Sequence, residues 1–211
     1  MRELNAHGLP AANPAKRDAP AAAWMSLDSL ANGDMIGETD PEYQSATIMK
    51  TTQRLSFGRL PDIPPGQIIA HMSDPRVAAH MPLLTFQWNR DTLAAFIAAK
   101  EECWRRDGLG HWAILCDGDY VGWGGFQKEG DEWDFGLVLK PEFFGLGPRI
   151  VKTALAFARA DTRVPYVTFL LPPSRPHLRG LAKFGARFVG EVEHEGASFR
   201  KYVLETTTPS P

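Results

Sequence analysis

The sequence has little cysteine, no long apolar run and no marked excess of charge. Its 211 residues include two cysteines, Cys103 and Cys116. That is too few for a disulfide framework or a cysteine-based zinc site, and it points to a reducing compartment, the cytoplasm. Charges, Pro or Gly interrupt every apolar run before the roughly 20 residues that a membrane helix needs. Met1 to Pro20 lacks the apolar stretch of about 7–15 residues of a secretory signal. No membrane partner is therefore expected. With 23 Lys and Arg against 25 Asp and Glu, the chain lacks the basic face of a dedicated nucleic-acid binder. There is no internal repeat. What is present, 44% hydrophobic and 23% charged residues, suits a globular core large enough to fold without disulfide or metal staples.

The first 48 residues differ from the rest. They are rich in Ala, Pro, Asn and Asp and show neither strand nor helix periodicity, apart from a short helical stretch around Ala21–Leu30. Glu3, Asp18, Asp28, Asp34, Glu38, Asp40 and Glu42 outnumber Arg2, Lys16 and Arg17, which leaves the remainder slightly basic. Such a segment buries too little apolar surface to offset its ordering entropy. The expected organisation is a disordered or mis-assigned extension over 1–48, with Met49 as an alternative start. A folded domain over 49–206 and a tail over 207–211 follow.

From Thr51 onward the pattern is regular. Gln53–Leu60 reads as a strand, Pro64–Met72 and Asp74–Met81 as short helices, and Asn89 as the N-cap of a helix reaching Arg106. His111–Cys116, Tyr120–Gln127 and Trp133–Leu139 read as strands joined by the turns Asp117-Gly118-Asp119 and Glu129-Gly130-Asp131. A helix from Pro148 to Asp161 follows a Gly-rich loop, with Ile150, Val151, Ala154, Leu155 and Ala158 at helical spacing. Tyr166–Leu171 is a strand, Ser174–Phe184 a helix, and Arg187–Val192 with Phe199–Leu204 a closing hairpin. This order predicts an α/β fold, a mixed and mostly antiparallel sheet with helices on both faces.

Chemistry is concentrated in the turn Glu142-Phe143-Phe144-Gly145-Leu146-Gly147-Pro148-Arg149. Glycines let a ligand approach the backbone, and the amides at a helix start attract anions. Pro148 suits the first helical position, where its missing N–H has no intrahelical partner to lose, and Arg149 adds a cation. The competing reading is a plain strand-to-helix connector. It is not a nucleotide P-loop, since no Gly-Lys-Ser/Thr follows, and the dinucleotide fingerprint is incomplete.

Element order, this turn and Lys183-Phe184-Gly185-Ala186 together resemble the GNAT superfamily of N-acetyltransferases. Within it, the sequence looks like the branch of the ribosomal-protein alanine N-acetyltransferases. Further points of similarity are Ser73-Asp74-Pro75, Trp112-Ala113-Ile114 with Val121-Gly122, and Asp134-Phe135-Gly136. The resemblance spans Gln53 to Leu204. It implies acetyl-CoA as co-substrate, without a metal, seated where two parallel strands splay apart. Leu137, Val138 and Leu139 would pair with the pantetheine arm. The amides of Phe143, Phe144, Gly145, Leu146 and Gly147 would hold the pyrophosphate, joined by Arg149. The partner would be a small-molecule or peptide amine acceptor, with nucleic acid disfavoured and a homodimer left open. This reading requires the amides of the bend to be free.

Several positions depart from the family pattern. Glu142 stands where an Arg or Gln is usual and is expected to face solvent. Ser174 replaces a common Asn, with cofactor contact still available to it. Leu181 replaces the tyrosine that protonates the departing thiolate. The catalytic candidates are Asp134, as base or as attractor of the amine's charge, and His177, which could reach the thiolate region. The alternative for each is an ordinary surface or salt-bridged residue. His111, His80, Trp88, Trp123 and Trp133 could line the acceptor site or simply pack. The cysteines read as core residues, against a covalent acetyl-cysteine route. A missing proton donor is tolerable, since orientation contributes about 7–11 kcal/mol and one acid or base about 10²–10⁴ in rate. A thiolate of pKa near 8.5 leaves with little help, and an α-amine near 8 needs less base than a lysine near 10.4. Weakly basic amines are therefore the expected acceptors. The rival readings are an acyl-CoA-binding protein with little or no catalysis, and a purely structural domain.

Overall fold

A computed structural model describes residues 53–83, 86–174 and 179–207. The expectations for 1–48, including the helix near Ala21–Leu30, and for His177 lie outside the described residues, as do residues 208–211 of the tail.

The described chain runs β1 (Leu55–Gly58), α1 (Pro65–Met72), α2 (Pro75–Ala78), α3 (Arg90–Asp107), β2 (His111–Cys116), β3 (Asp119–Glu129) and β4 (Glu132–Leu139). A 3-10 helix (Pro141–Leu146) leads into α4 (Gly147–Ala160), followed by β5 (Tyr166–Leu171), α5 (Arg179–Lys183), β6 (Arg187–His194) and β7 (Ala197–Glu205). The seven strands form one sheet in the order β1-β2-β3-β4-β5-β7-β6, antiparallel except for the parallel β4–β5 pair.

Local chemistry sets the boundaries. Asn89 caps α3 through a capping box with Thr92, and Gly108 ends the helix in the left-handed conformation. Asp74 caps α2 through the Arg76 amide; α2 stops at Ala78, short of the expected Met81. The first strand is also shorter than expected: Leu60 and Pro61 begin a 3-10 turn, because Pro61 cannot donate to a ladder.

Alternation along the strands separates two cores. On one face α4 buries Ala154, Leu155 and Ala158 against Phe126, Trp133, Phe135, Val167 and Phe169. On the other, α1 and α3 bring Ile68, Leu93 and Phe96 onto Ala113, Trp123 and Val138. Glycines let β3 and β4 approach closely, since a Cβ on Gly122 or Gly124 would collide with the carbonyl oxygens of Val138 and Gly136.

Candidate active site

Strands β4 and β5 meet at a single register pair, Asp134 with Thr168. Beyond it they part, and the Asp134 side chain explains where. Its carboxylate accepts from the Thr168 hydroxyl at 3.2 Å, and the Leu170 amide faces it and favours its charged form. Leu170 is the β5 residue whose amide would otherwise continue the ladder onto β4. Past this point the β5-facing edge of β4 has no strand partner among the described residues.

The direction of each β4 backbone group follows from two anchors. The Lys140 amide donates to Val121 on β3 at 2.8 Å, whereas the Trp133 carbonyl, seven residues earlier and of opposite parity, faces the Thr168 hydroxyl on β5 at 3.3 Å. Strand groups alternate sides. Leu137 and Leu139 therefore turn both amide and carbonyl toward the splay, while Val138 turns its own to β3. Of the three edge residues expected to pair with a pantetheine, Val138 is the one whose groups are already used.

The Gly-rich bend is a 3-10 helix, with its amides engaged. Phe143 N–H donates to Lys140 O at 2.9 Å, and Gly147 N–H donates to Phe144 O. The expectation of free amides is not met at these two positions. Pro141 starts the turn, and i to i+3 bonds then carry the chain into α4, whose first residue is Gly147 rather than Pro148. The Arg149 guanidinium binds the Gln53 carbonyl at 2.6 Å, which commits it to the chain leading into β1. Glu142 is exposed, 3.7 Å from Arg76, as expected. Two features still suit a ligand. A Cβ on Gly145 or Gly147 would meet open space, and neither glycine has a positive φ. The protein's own packing therefore gives no reason for glycine there, whereas close approach of a ligand to the backbone does. A cavity of about 500 Å³ opens beside the turn, between α1 and Lys140–Phe143, with His71 in its wall.

Around Asp134 the α3-side face carries a charged cluster. Burial raises the Asp134 pKa to about 7; the Thr168 hydroxyl, the Leu170 amide and Lys100 oppose the rise, and Glu129 adds to it. Gln127 sits opposite Asp134 in register, and the Lys100 Nζ donates to Gln127 Oε1 at 2.6 Å. His111 is buried, its Nδ1 without a hydrogen-bond partner among the described residues. A Cβ on Gly136 would lie 3.1 Å from His111 Nε2, so glycine leaves the ring its room. Burial and Lys100 hold the His111 pKa well below its ordinary value. Sequence reasoning did not single out Lys100. The available signal was its position on the stripe Leu93, Phe96, Ile97, Lys100, Cys103 and Trp104, where a lysine is out of place.

The other candidates are scattered. Ser174 lies exposed in the turn after β5, its hydroxyl 3.1 Å from His80 Nδ1. Leu181 packs against the α4-side core and offers no proton. Trp133 is also in that core, bonded to the Arg163 carbonyl at 2.8 Å. Trp88 stacks edge-on against Phe96. Trp123, with its ring against His111, is the tryptophan nearest the cluster. Both cysteines are buried, and burial pushes their thiols up, away from nucleophilic thiolates. Among the described residues no His, Cys, Asp and Glu cluster is arranged for a metal, and no helix is long and apolar enough to cross a membrane.

Solved structures share this fold. A GNAT-family acetyltransferase from Bordetella pertussis is 19% identical, with a TM-score of 0.59, over 74% of this chain and 97% of that one. An aminoglycoside acetyltransferase in complex with coenzyme A is 13% identical, with a TM-score of 0.56, over 73% and 95%. Spermidine N-acetyltransferase from Vibrio cholerae, in complex with CoA and spermine, is 10% identical, with a TM-score of 0.56, over 73% and 95%. At these identities the likeness establishes the fold. No curated protein matches the sequence. The family model described as the acetyltransferase (GNAT) domain matches residues 60–176, from the end of β1 through β5, and by that match the chain belongs to the GNAT acetyltransferase family.

Proposed function

We propose that the protein moves an acetyl group from acetyl-CoA to an amine by direct attack in a ternary complex, with Asp134 as the base. The observation that carries this is a carboxylate with a pKa near 7 standing where β4 and β5 part. A base poised near the working pH can take the amine's proton and still hold its own charge. The co-substrate supplies an activated acyl group. Leu137 and Leu139 bind it through the free β4 edge, with Val138 contributing packing only. At the turn, Phe143, Phe144, Gly145, Leu146 and Gly147 receive its diphosphate by exchanging the 3-10 bonds for bonds to charged oxygens. Bonds in a 3-10 turn have poor geometry, and charge-assisted ones are roughly twice as strong. Arg149 contributes its first-turn amide, Ser174 is exposed in the turn after β5, and His177 follows it in sequence. The resemblance to the ribosomal-protein alanine branch and the pKa of Asp134 both favour α-amines over lysine side chains. The structural neighbours named for aminoglycosides and spermidine support small-molecule amines as a class.

Initial rates with acetyl-CoA and amine varied together give intersecting lines, and the protein mixed with acetyl-CoA alone gains no acetyl mass. Parallel lines with an acetylated Cys103 or Cys116 contradict direct attack. Tight acetyl-CoA binding without turnover of any amine favours the binding-protein reading, which the aliphatic Leu181, packed against the core with no proton to give, would then explain.

A further inference from the structure

Lys100 lies on the buried stripe of α3, where an aliphatic residue would cost less. Its ammonium is held over the faces of Phe96 and Trp123, 5.5 and 5.6 Å from the ring centroids, by one hydrogen bond to the neutral Gln127 side chain. The Gln127 amide nitrogen in turn donates to Glu129. None of the ion pairs among the described residues includes Lys100, although this part of the sheet carries carboxylates at Glu129, Glu132 and Asp134. Glu132 is paired with Lys201 at 2.5 Å, and Asp134 accepts from Thr168. Burial works against the charge of this ammonium, and Glu129 and Asp134 support it only through space, so among the described residues it is fixed in direction without a carboxylate in direct contact. It stands one strand away from the proposed base, because Gln127 and Asp134 are register partners whose side chains share a face about 5 Å apart at Cβ.

We infer that Lys100 is the specificity group of the acceptor site and takes a carboxylate, so that the acceptor is an amine that also carries a carboxylate. This rests on the acetyltransfer reading above. The acceptor's amine would face Asp134, and its carboxylate would complete the ion pair that the protein leaves open, a charge-assisted contact in a partly desolvated setting. A polycation brought to the same place would meet Lys100 as a repulsive charge.

The test uses L-α-amino acids, each paired with its carboxamide, at saturating acetyl-CoA. The amide's amine is the less basic of the two, so intrinsic reactivity favours the amide. The wild type is expected to favour the acid by roughly tenfold or more in kcat/KM, mostly through KM. Lys100→Gln and Lys100→Met, the latter suited to the apolar stripe, should bring that ratio to near one. A wild type without the preference, or variants that keep it, overturns the inference. Calorimetry with the matching N-acetyl amino acids separates the two levels. Binding that depends on Lys100, without turnover of any amine, leaves the anion site standing and removes the transferase reading. Absence of both removes the two together.

Discussion

Asp134→Asn should lower kcat by about 10²–10⁴ while leaving acetyl-CoA affinity close to wild type. Asparagine keeps the size of the side chain and can still accept from Thr168, so the splay survives and only the ability to take a proton is lost. The pH dependence separates this from a packing defect. Wild-type kcat/KM should rise with pH through an inflection near 7, where Asp134 ionises, and the variant should lose that inflection. Stability must move with it. The folded pKa is raised above the ordinary 3.8, so between about pH 4 and pH 7 the folded chain holds a proton that the unfolded chain releases. That contribution is fully present below the unfolded value and is lost as pH rises through the folded one. Wild type should therefore lose more thermal stability than the variant on going from pH 5 to pH 8. A variant within about threefold of wild-type kcat would remove Asp134 from the chemistry.

Gly145→Asp should abolish most of the stabilisation that acetyl-CoA gives. The substitution has open space at Cβ and no positive φ to strain, so the fold should tolerate it. What it introduces is a carboxylate at the proposed diphosphate seat, facing charge of the same sign. A ligand at 100 times its Kd stabilises by about 2.7 kcal/mol, which raises the Tm of a domain this size by roughly 5–10 °C. The variant should show little rise. An undiminished shift would mean that the bend is a connector and that the coenzyme binds elsewhere.

The parts legible in the sequence were those fixed by short-range pattern. His111–Cys116 and Tyr166–Leu171 form strands over the expected residues, because their apolar runs are bounded by unambiguous turns. Helix α3 begins at the expected cap for the same reason. The site depends on longer-range contacts. The sequence places Asp134 on a strand near the turn, but the end of the β4–β5 ladder is decided by Thr168 and Leu170, more than thirty residues away. The bend reads as an open Gly-rich loop, yet Pro141 and the anchoring of Leu146 beside Ile150 in the core wind it into a 3-10 turn. Arg149 reads as a cation for the turn, yet the carbonyl of Gln53 claims it. Lys100 reads as one more polar residue of an amphipathic helix until its place on the apolar stripe is counted.

Acetyl transfer at this site requires the free edge of β4 to take the coenzyme. Residue-resolved amide hydrogen exchange, with and without saturating acetyl-CoA, reads that edge directly. Protection should appear at Leu137 and Leu139, the amides turned toward the splay, and leave Val138, already bonded to β3, nearly unchanged. Exchange at Leu137 and Leu139 that stays the same while the coenzyme demonstrably binds would place it away from this strand.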